Sequence, residues 1–274
     1  MILPFLAFVW YWLATFALVM SLHGRPAQVS DAALPPLPRT TRWWPWFAGL
    51  AVFLHAAAHA WVARSLGAPD MHFFAAVSLV TLGMAAMTLA LKRQGRMTSA
   101  GLIVFPMASL AVLAYHKAGH TPAAAPQSWP LQLHAWIALL SAAALALAAI
   151  FALMLWLQER ALRTRQRSHL LLGLPPLVTI ETMLFRTIKL GFALLTLTLV
   201  TGLLFVSDLF AQHLAHKTIL SIVSWLIFGG LLLGRWKYGW RGVRAAKWTL
   251  VAFAFLALAF FGVTYILEQR YGLN

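Results

Sequence analysis

Ten histidines and no cysteine define the chemistry open to this chain. A neutral imidazole can hold haem iron or another transition metal through a nitrogen lone pair, whereas disulfides, thiol relays and iron–sulfur ligation are excluded. His55 and His59 stand four residues apart in an apolar run, so on a helix they share one face, about 6 Å apart along the axis. An imidazole in hydrocarbon needs a partner. The pair reads either as interhelical hydrogen bonding to Ser, Thr or backbone, or as a haem or metal contact. His116 and His120 share that spacing, but their context, HKAGHTPAAAP, carries helix-ending Gly and Pro, which predicts solvated loop residues. His134 and His216 each open an apolar run. They could raise imidazoles toward one pocket, or they could be interfacial residues at helix starts.

Other constellations are poor. The six acids are Asp31, Asp70, Glu159, Glu181, Asp208 and Glu268, all expected in loops or at helix ends. That pattern disfavours a paired-carboxylate hydrolase and offers no chain of intramembrane acids for proton pumping. HExxH, Walker and G-x-S-x-G patterns are missing as well. The residues point to binding or transport rather than to an enzyme that works through its own acids and bases.

The elements that must position these side chains are membrane helices. The chain is 62% hydrophobic and 10% charged, with a strongly positive mean hydropathy, more apolar surface than a soluble domain of 274 residues could bury. Windows of about 19 residues give an all-α, polytopic membrane protein of eight transmembrane helices: Ile2 to Leu22, Trp46 to Leu66, His72 to Leu91, Ser99 to Tyr115, Leu131 to Leu157, Thr187 to Val206, Thr218 to Gly234 and Trp248 to Leu267. They form one polytopic domain over residues 1–274. The first run lacks a basic leader and a cleavage site, so it reads as a retained helix.

Lys and Arg set the orientation. The connections 23–45, 92–98, 158–186 and 235–247, with Lys189, hold 17 of the 21, leaving Arg64, Lys117, Lys217 and Arg270 to the other side. By the positive-inside rule both termini face away from the cytoplasm. The formal charge of +15 is therefore a topology signal, not a nucleic-acid footprint. Two basic loops read chiefly as anchors. LLLGLPPLVTIETMLF within 158–186 could lie in the interface as a short amphipathic helix, and GRWKYGWRG resembles an aromatic belt. On this topology eight histidines lie inside the membrane or on the outer side, which places a ligand site near the outer face.

Five segments then resemble a known family. SWPLQLHAWIALLSAAAL (Ser128 to Leu145), LPPLVTIETMLFRTIKLGFALLTLTLVTG (Leu174 to Gly202), HKTILSIVSWLIFGGLLLGR (His216 to Arg235), GWRGVRAA (Gly239 to Ala246) and FFGVTYI (Phe260 to Ile266) are similar to the cytochrome c assembly membrane proteins. The HemX/YpjD-type branch, related to CcsA and CcmC, is the nearest. The resemblance lies in about 128–274, and the first half agrees mainly in hydropathy and span number. It implies haem handling at the outer face of a bacterial inner membrane, with the lipid bilayer, haem and other cytochrome c assembly proteins as partners.

His134 falls where the family's outer-face ligand histidine opens a span. Lys217 and Trp225 match the spacing of the Lys and Trp in its tryptophan-rich motif. Where that motif reads Trp-Asp-Pro-Lys-Glu, this chain has Leu214-Ala215-His216-Lys217-Thr218, and it carries no terminal ligand histidine after the last span. His216 is accordingly the candidate second iron ligand beside His134, with Trp129, Trp136 and Trp225 flanking the ring and Lys217 pairing a propionate. His55 and His59 are weaker candidates for the same cofactor. The alternatives are a non-haem structural or regulatory protein on this fold, or a transporter of a small solute or metal.

Overall fold

The computed structural model describes residues 2–23, 43–91, 99–120, 128–164, 175–205 and 212–262. Eight long helices and no strand occur among them: α1 (Ile2–His23), α2 (Trp44–Leu66), α3 (Phe73–Ala90), α4 (Gly101–Lys117), α5 (Trp129–Arg163), α6 (Leu177–Phe205), α7 (Gln212–Tyr238) and α8 (Gly242–Ala257), the last continuing as a π turn over Leu258–Gly262. Seven are long and apolar enough to cross a membrane, and α4 is a shorter apolar helix. The histidines at 23, 169 and 213, the basic residues of 24–42 and 92–98, and Asp31, Asp208 and Glu268 lie outside the side chains described.

The boundaries follow local chemistry. Pro45 and Pro130 sit in the first turns of α2 and α5, where their missing N–H costs nothing. Gly67, at φ 75°, ends α2 in the left-handed conformation that a side chain disfavours. The helices α1 to α4 pack into one group, α5 to α8 into another, and α3 joins the two by packing on α5.

α5 is the spine. Its middle, SAAALALAAIFA, is buried almost continuously, because alanine lets neighbours approach from every side. A Cβ at Gly83 of α3 would lie 2.8 Å from the Ala143 side chain, and one at Gly191 of α6 would lie 2.5 Å from that of Leu145. At the second crossing the Ser141 hydroxyl donates to the Gly191 carbonyl at 3.1 Å.

α6 begins ten residues earlier than the expected span. The part of the segment read as a separate interfacial helix that lies at 177–185 forms the first turns of α6, since nothing after Pro176 interrupts the helix, and 170–174 lie outside the described residues. Glu181 is consequently a buried helix residue rather than a loop acid. Its carboxylate accepts from Arg235 Nη1 at 2.6 Å and Arg241 Nε at 3.1 Å. Of the GRWKYGWRG segment, expected as a loop, 234–238 form the end of α7 and only 239–241 make the turn into α8. Gly239 and Gly242 adopt positive φ, and Trp240 lies where a side chain on Gly234 would be. Glu159 of α5 accepts from the Val243 N–H at 3.2 Å, capping the start of α8.

A polar ladder binds α1, α2 and α3 inside the apolar bundle. The Tyr11 hydroxyl meets His55 Nδ1 at 3.2 Å, and the Ser78 hydroxyl sits between His55 Nε2 at 2.8 Å and His59 Nε2 at 2.9 Å. Whichever way the hydroxyl protons run, both nitrogens of the fully buried His55 are engaged.

Two outcomes test this packing by thermal unfolding in detergent. Gly191→Val should cost about 1–3 kcal/mol through overpacking against Leu145, whereas Gly230→Ala, with open space around it, should be neutral or slightly stabilising. Ser78→Ala strips the shared partner from two imidazoles and should cost about 1–3 kcal/mol.

Candidate functional site

His134 lies in the second turn of α5, half-buried, with Nδ1 3.0 Å from Thr201 Oγ1 of α6. The Thr201 hydroxyl has one proton, and it points back at its own helix, 2.8 Å from the Leu197 carbonyl and 3.1 Å from that of Thr198. A Thr201 hydroxyl that donates to its own helix accepts from His134, and the ring proton is then on Nδ1 with the lone pair on Nε2. That is how a partner hydroxyl or carbonyl prepares an imidazole to bind a metal. Gly202 completes the seat, since a Cβ there would stand 3.2 Å from His134 Cε1.

The other residues singled out in the sequence distribute around the same end of the bundle. His216 is exposed on the first turns of α7, next to the partly buried Lys217. Trp129 is 72% exposed and makes a tilted contact with Phe205 at 6.5 Å, and Trp136 is exposed on α5. Trp225 is committed to packing: its Nε1–H donates to Thr196 Oγ1 at 2.9 Å and its ring stacks on Phe192 at 5.6 Å. Thr196 and Thr201 are five residues apart on α6, about 140° around the axis, so α7 and α5 approach different sides of that helix. The structure thus joins His134 to Thr201 and Gly202, and Trp225 to Thr196 and Phe192. His55 and His59 belong to the ladder in the other half of the bundle.

A second cluster lies where α2 turns into α3. Asp70 is buried, its Oδ1 accepting from the His72 N–H at 3.4 Å. Its Oδ2 faces His72 Nε2 at 3.4 Å and His120 Nδ1 at 3.2 Å. His72 also caps α3, its Nδ1 accepting from the Phe74 N–H at 3.1 Å. His120 is only partly exposed rather than a solvated loop residue, because Gly119, at φ 80°, folds the chain back beyond α4. Burial alone would raise the Asp70 carboxyl. The hydrogen bonds and charge of His72 and the bond from His120 outweigh that and hold it below the usual carboxylate range.

Tyr115 ties the cluster to the ladder. Its ring stacks on His59 at 4.2 Å and lies 4.6 Å from that of His120 and 5.7 Å from that of His72. Sequence reasoning missed Asp70 and Tyr115 as site residues. The Asp-x-His spacing at 70–72 was the available signal, but the partner that completes it is 50 residues away.

The family described as Cytochrome C assembly protein matches residues 43–270 of this chain. Among curated relatives, the Inner membrane protein YpjD of Escherichia coli K12 is 38% identical over 135 residues, 47% of this chain and 49% of that protein. Protein HemX of Brevibacillus brevis is 31% identical over 136 residues, covering 49% and 50% of the two chains. The Cytochrome c biogenesis protein CcsA of Gloeobacter violaceus is 27% identical over 92 residues, 33% and 27%. The chain spans about half the length of the first two relatives, and no solved structure matches it. With the family covering α2 through α8, and so the whole of α5 and α6 around His134, this chain belongs to the cytochrome c assembly protein family.

Proposed function

We propose that this protein is an inner-membrane haem-handling factor in cytochrome c assembly, with His134 Nε2 as an iron ligand at the outer face. The observation that supports the reading is the Thr201 bond, which, with the Thr201 hydroxyl donating to its own helix, leaves the His134 Nε2 lone pair available. In this reading all eight helices cross the bilayer and both termini lie outside. The support is the split of Lys and Arg between alternate connections, which leaves the starts of α5 and α7 and the end of α6 on the sparsely charged side.

His216 is the second iron ligand, carried on the first turns of α7 where a side chain is free to approach a ring. Trp129 and Trp136, exposed on α5, offer apolar faces for the porphyrin, and Lys217 a cation for a propionate. Trp225 acts one step removed, by holding α7 against α6. His55 and His59 hold α2 to α1 and α3. Haem itself supplies the redox-active iron and the vinyl groups; the chain's residues bind it, orient it and keep it at the membrane surface. Other assembly proteins would receive it. A non-haem structural role on the same fold is favoured by one observation, the commitment of Trp225 to Thr196 and Phe192.

The test is the visible spectrum of protein purified from haem-replete cells. The expected result is a haem band in the wild type, its loss in His134→Ala, its weakening in His216→Ala, and a tenfold or greater loss of haem affinity in Thr201→Val. A wild-type protein without haem, beside a control that retains its own, would overturn the reading. A band indifferent to both histidine substitutions would overturn the ligand assignment.

A further inference from the structure

We propose that Asp70, His72 and His120 form a binding site for a divalent first-row transition-metal ion of the zinc class, separate from the His134 region. The donor set is two imidazoles and a carboxylate, the facial arrangement that holds such ions and leaves positions open for water or an incoming group. One ligand atom from each residue lies within 4.8 Å of the other two. The geometry is closer than that bound implies. Metal–ligand bonds of about 2.0–2.1 Å at tetrahedral angles put neighbouring donors about 3.3 Å apart, and Asp70 Oδ2 is 3.4 Å from His72 Nε2 and 3.2 Å from His120 Nδ1. Two of the three edges are already at that length, and the third, between the histidines, is within 4.8 Å.

The surroundings serve the same purpose. The Asp70 side chain is 3% exposed, so this carboxylate is withheld from water and held for neighbouring cations. The Tyr115 hydroxyl is fully buried beside it without a hydrogen bond of normal geometry, a polar group placed to complete an outer shell. Without metal, N–H groups of both imidazoles face Oδ2. An ion entering there takes their place, and the ring protons move to the far nitrogens. For His120 the far nitrogen is Nε2. For His72 it is Nδ1, so the bond from the Phe74 N–H is exchanged for a metal bond. The ligands come from the α2–α3 turn and the segment after α4, so the ion would also clasp these two connections.

The experiment uses the full chain in detergent, stripped with a chelator and titrated with Co2+ and then Zn2+. One equivalent of Co2+ should give visible d–d absorption that Zn2+ displaces, and Zn2+ should raise the unfolding temperature. His72→Ala, His120→Ala and Asp70→Asn should each weaken binding at least tenfold and remove the thermal shift. His116→Ala and His134→Ala should do neither. His120→Ala, which alters a residue beyond the end of α4, is the variant least disturbing to the fold, and gel filtration checks each protein. Wild-type binding no tighter than that of His120→Ala, or binding lost in His134→Ala instead, would overturn the site. Neither result bears on whether haem is bound.

Discussion

The close approach of α3 and α6 to α5 is the constraint on which the rest of the bundle depends. In hydrocarbon no hydrophobic effect drives helices together, so association relies on packing distance and on the few polar bonds that packing permits. Alanines 142–144, 146, 148 and 149 keep α5 thin, and Gly83 and Gly191 let backbone reach that thin surface. Ser141 can bond the Gly191 carbonyl only because the missing Cβ brings it within 3.1 Å. From that crossing α6 continues ten residues to Thr201, which meets His134. Its opposite end delivers Glu181 to Arg235 and Arg241. One tight contact therefore sets the register of both ends.

Hydroxyl groups set the chemistry that the register exposes. A hydroxyl carries one proton, and in a water-poor interior where that proton goes decides what an adjoining imidazole can do. With Thr201 donating to its own helix, His134 donates to it through Nδ1 and carries its lone pair on Nε2. Ser78 lies between two imidazoles and consumes a nitrogen of each, with Tyr11 taking the second nitrogen of His55. Two histidines that look alike in the sequence, each within an apolar helix, are thereby given opposite roles. One meets a single hydroxyl of a neighbouring helix, and the other is spent on holding three helices together.

This division explains what was legible in the sequence. The eight helices follow from apolar runs, because bilayer thickness and backbone satisfaction leave little else for such runs to form. Their ends were less legible. A hydropathy window stops at Arg186 and Glu181, whereas the helix continues, because Glu181 finds Arg235 and Arg241 inside the fold. The pairing of His55 with His59 could be read from a spacing of four, and its partner Ser78 only by residue type. His134 was identified through a resemblance; Thr201, 67 residues away, could be named by nothing local. Asp70 looked like a turn residue, and it is one, but a turn that also faces His120.

The two histidine sites make different demands on the fold. His134 sits on the rigid spine, where its nitrogen is aimed by helix packing, which suits a large planar ligand that must be met at one angle. Asp70, His72 and His120 come from connections rather than helix middles, and there Gly119 and the Asp70 turn supply the bends. A compact ion with three short bonds needs convergence more than a fixed approach, and loops can converge where helix middles cannot. Tyr115 joins the polar ladder to the Asp70 cluster. It stacks on His59 of the ladder and abuts His72 and His120, so any closing of the metal ligands presses on the same ring that packs α2 against α4. On the proposal above, occupancy of the cluster and the packing of α2 against α4 would be coupled through that side chain.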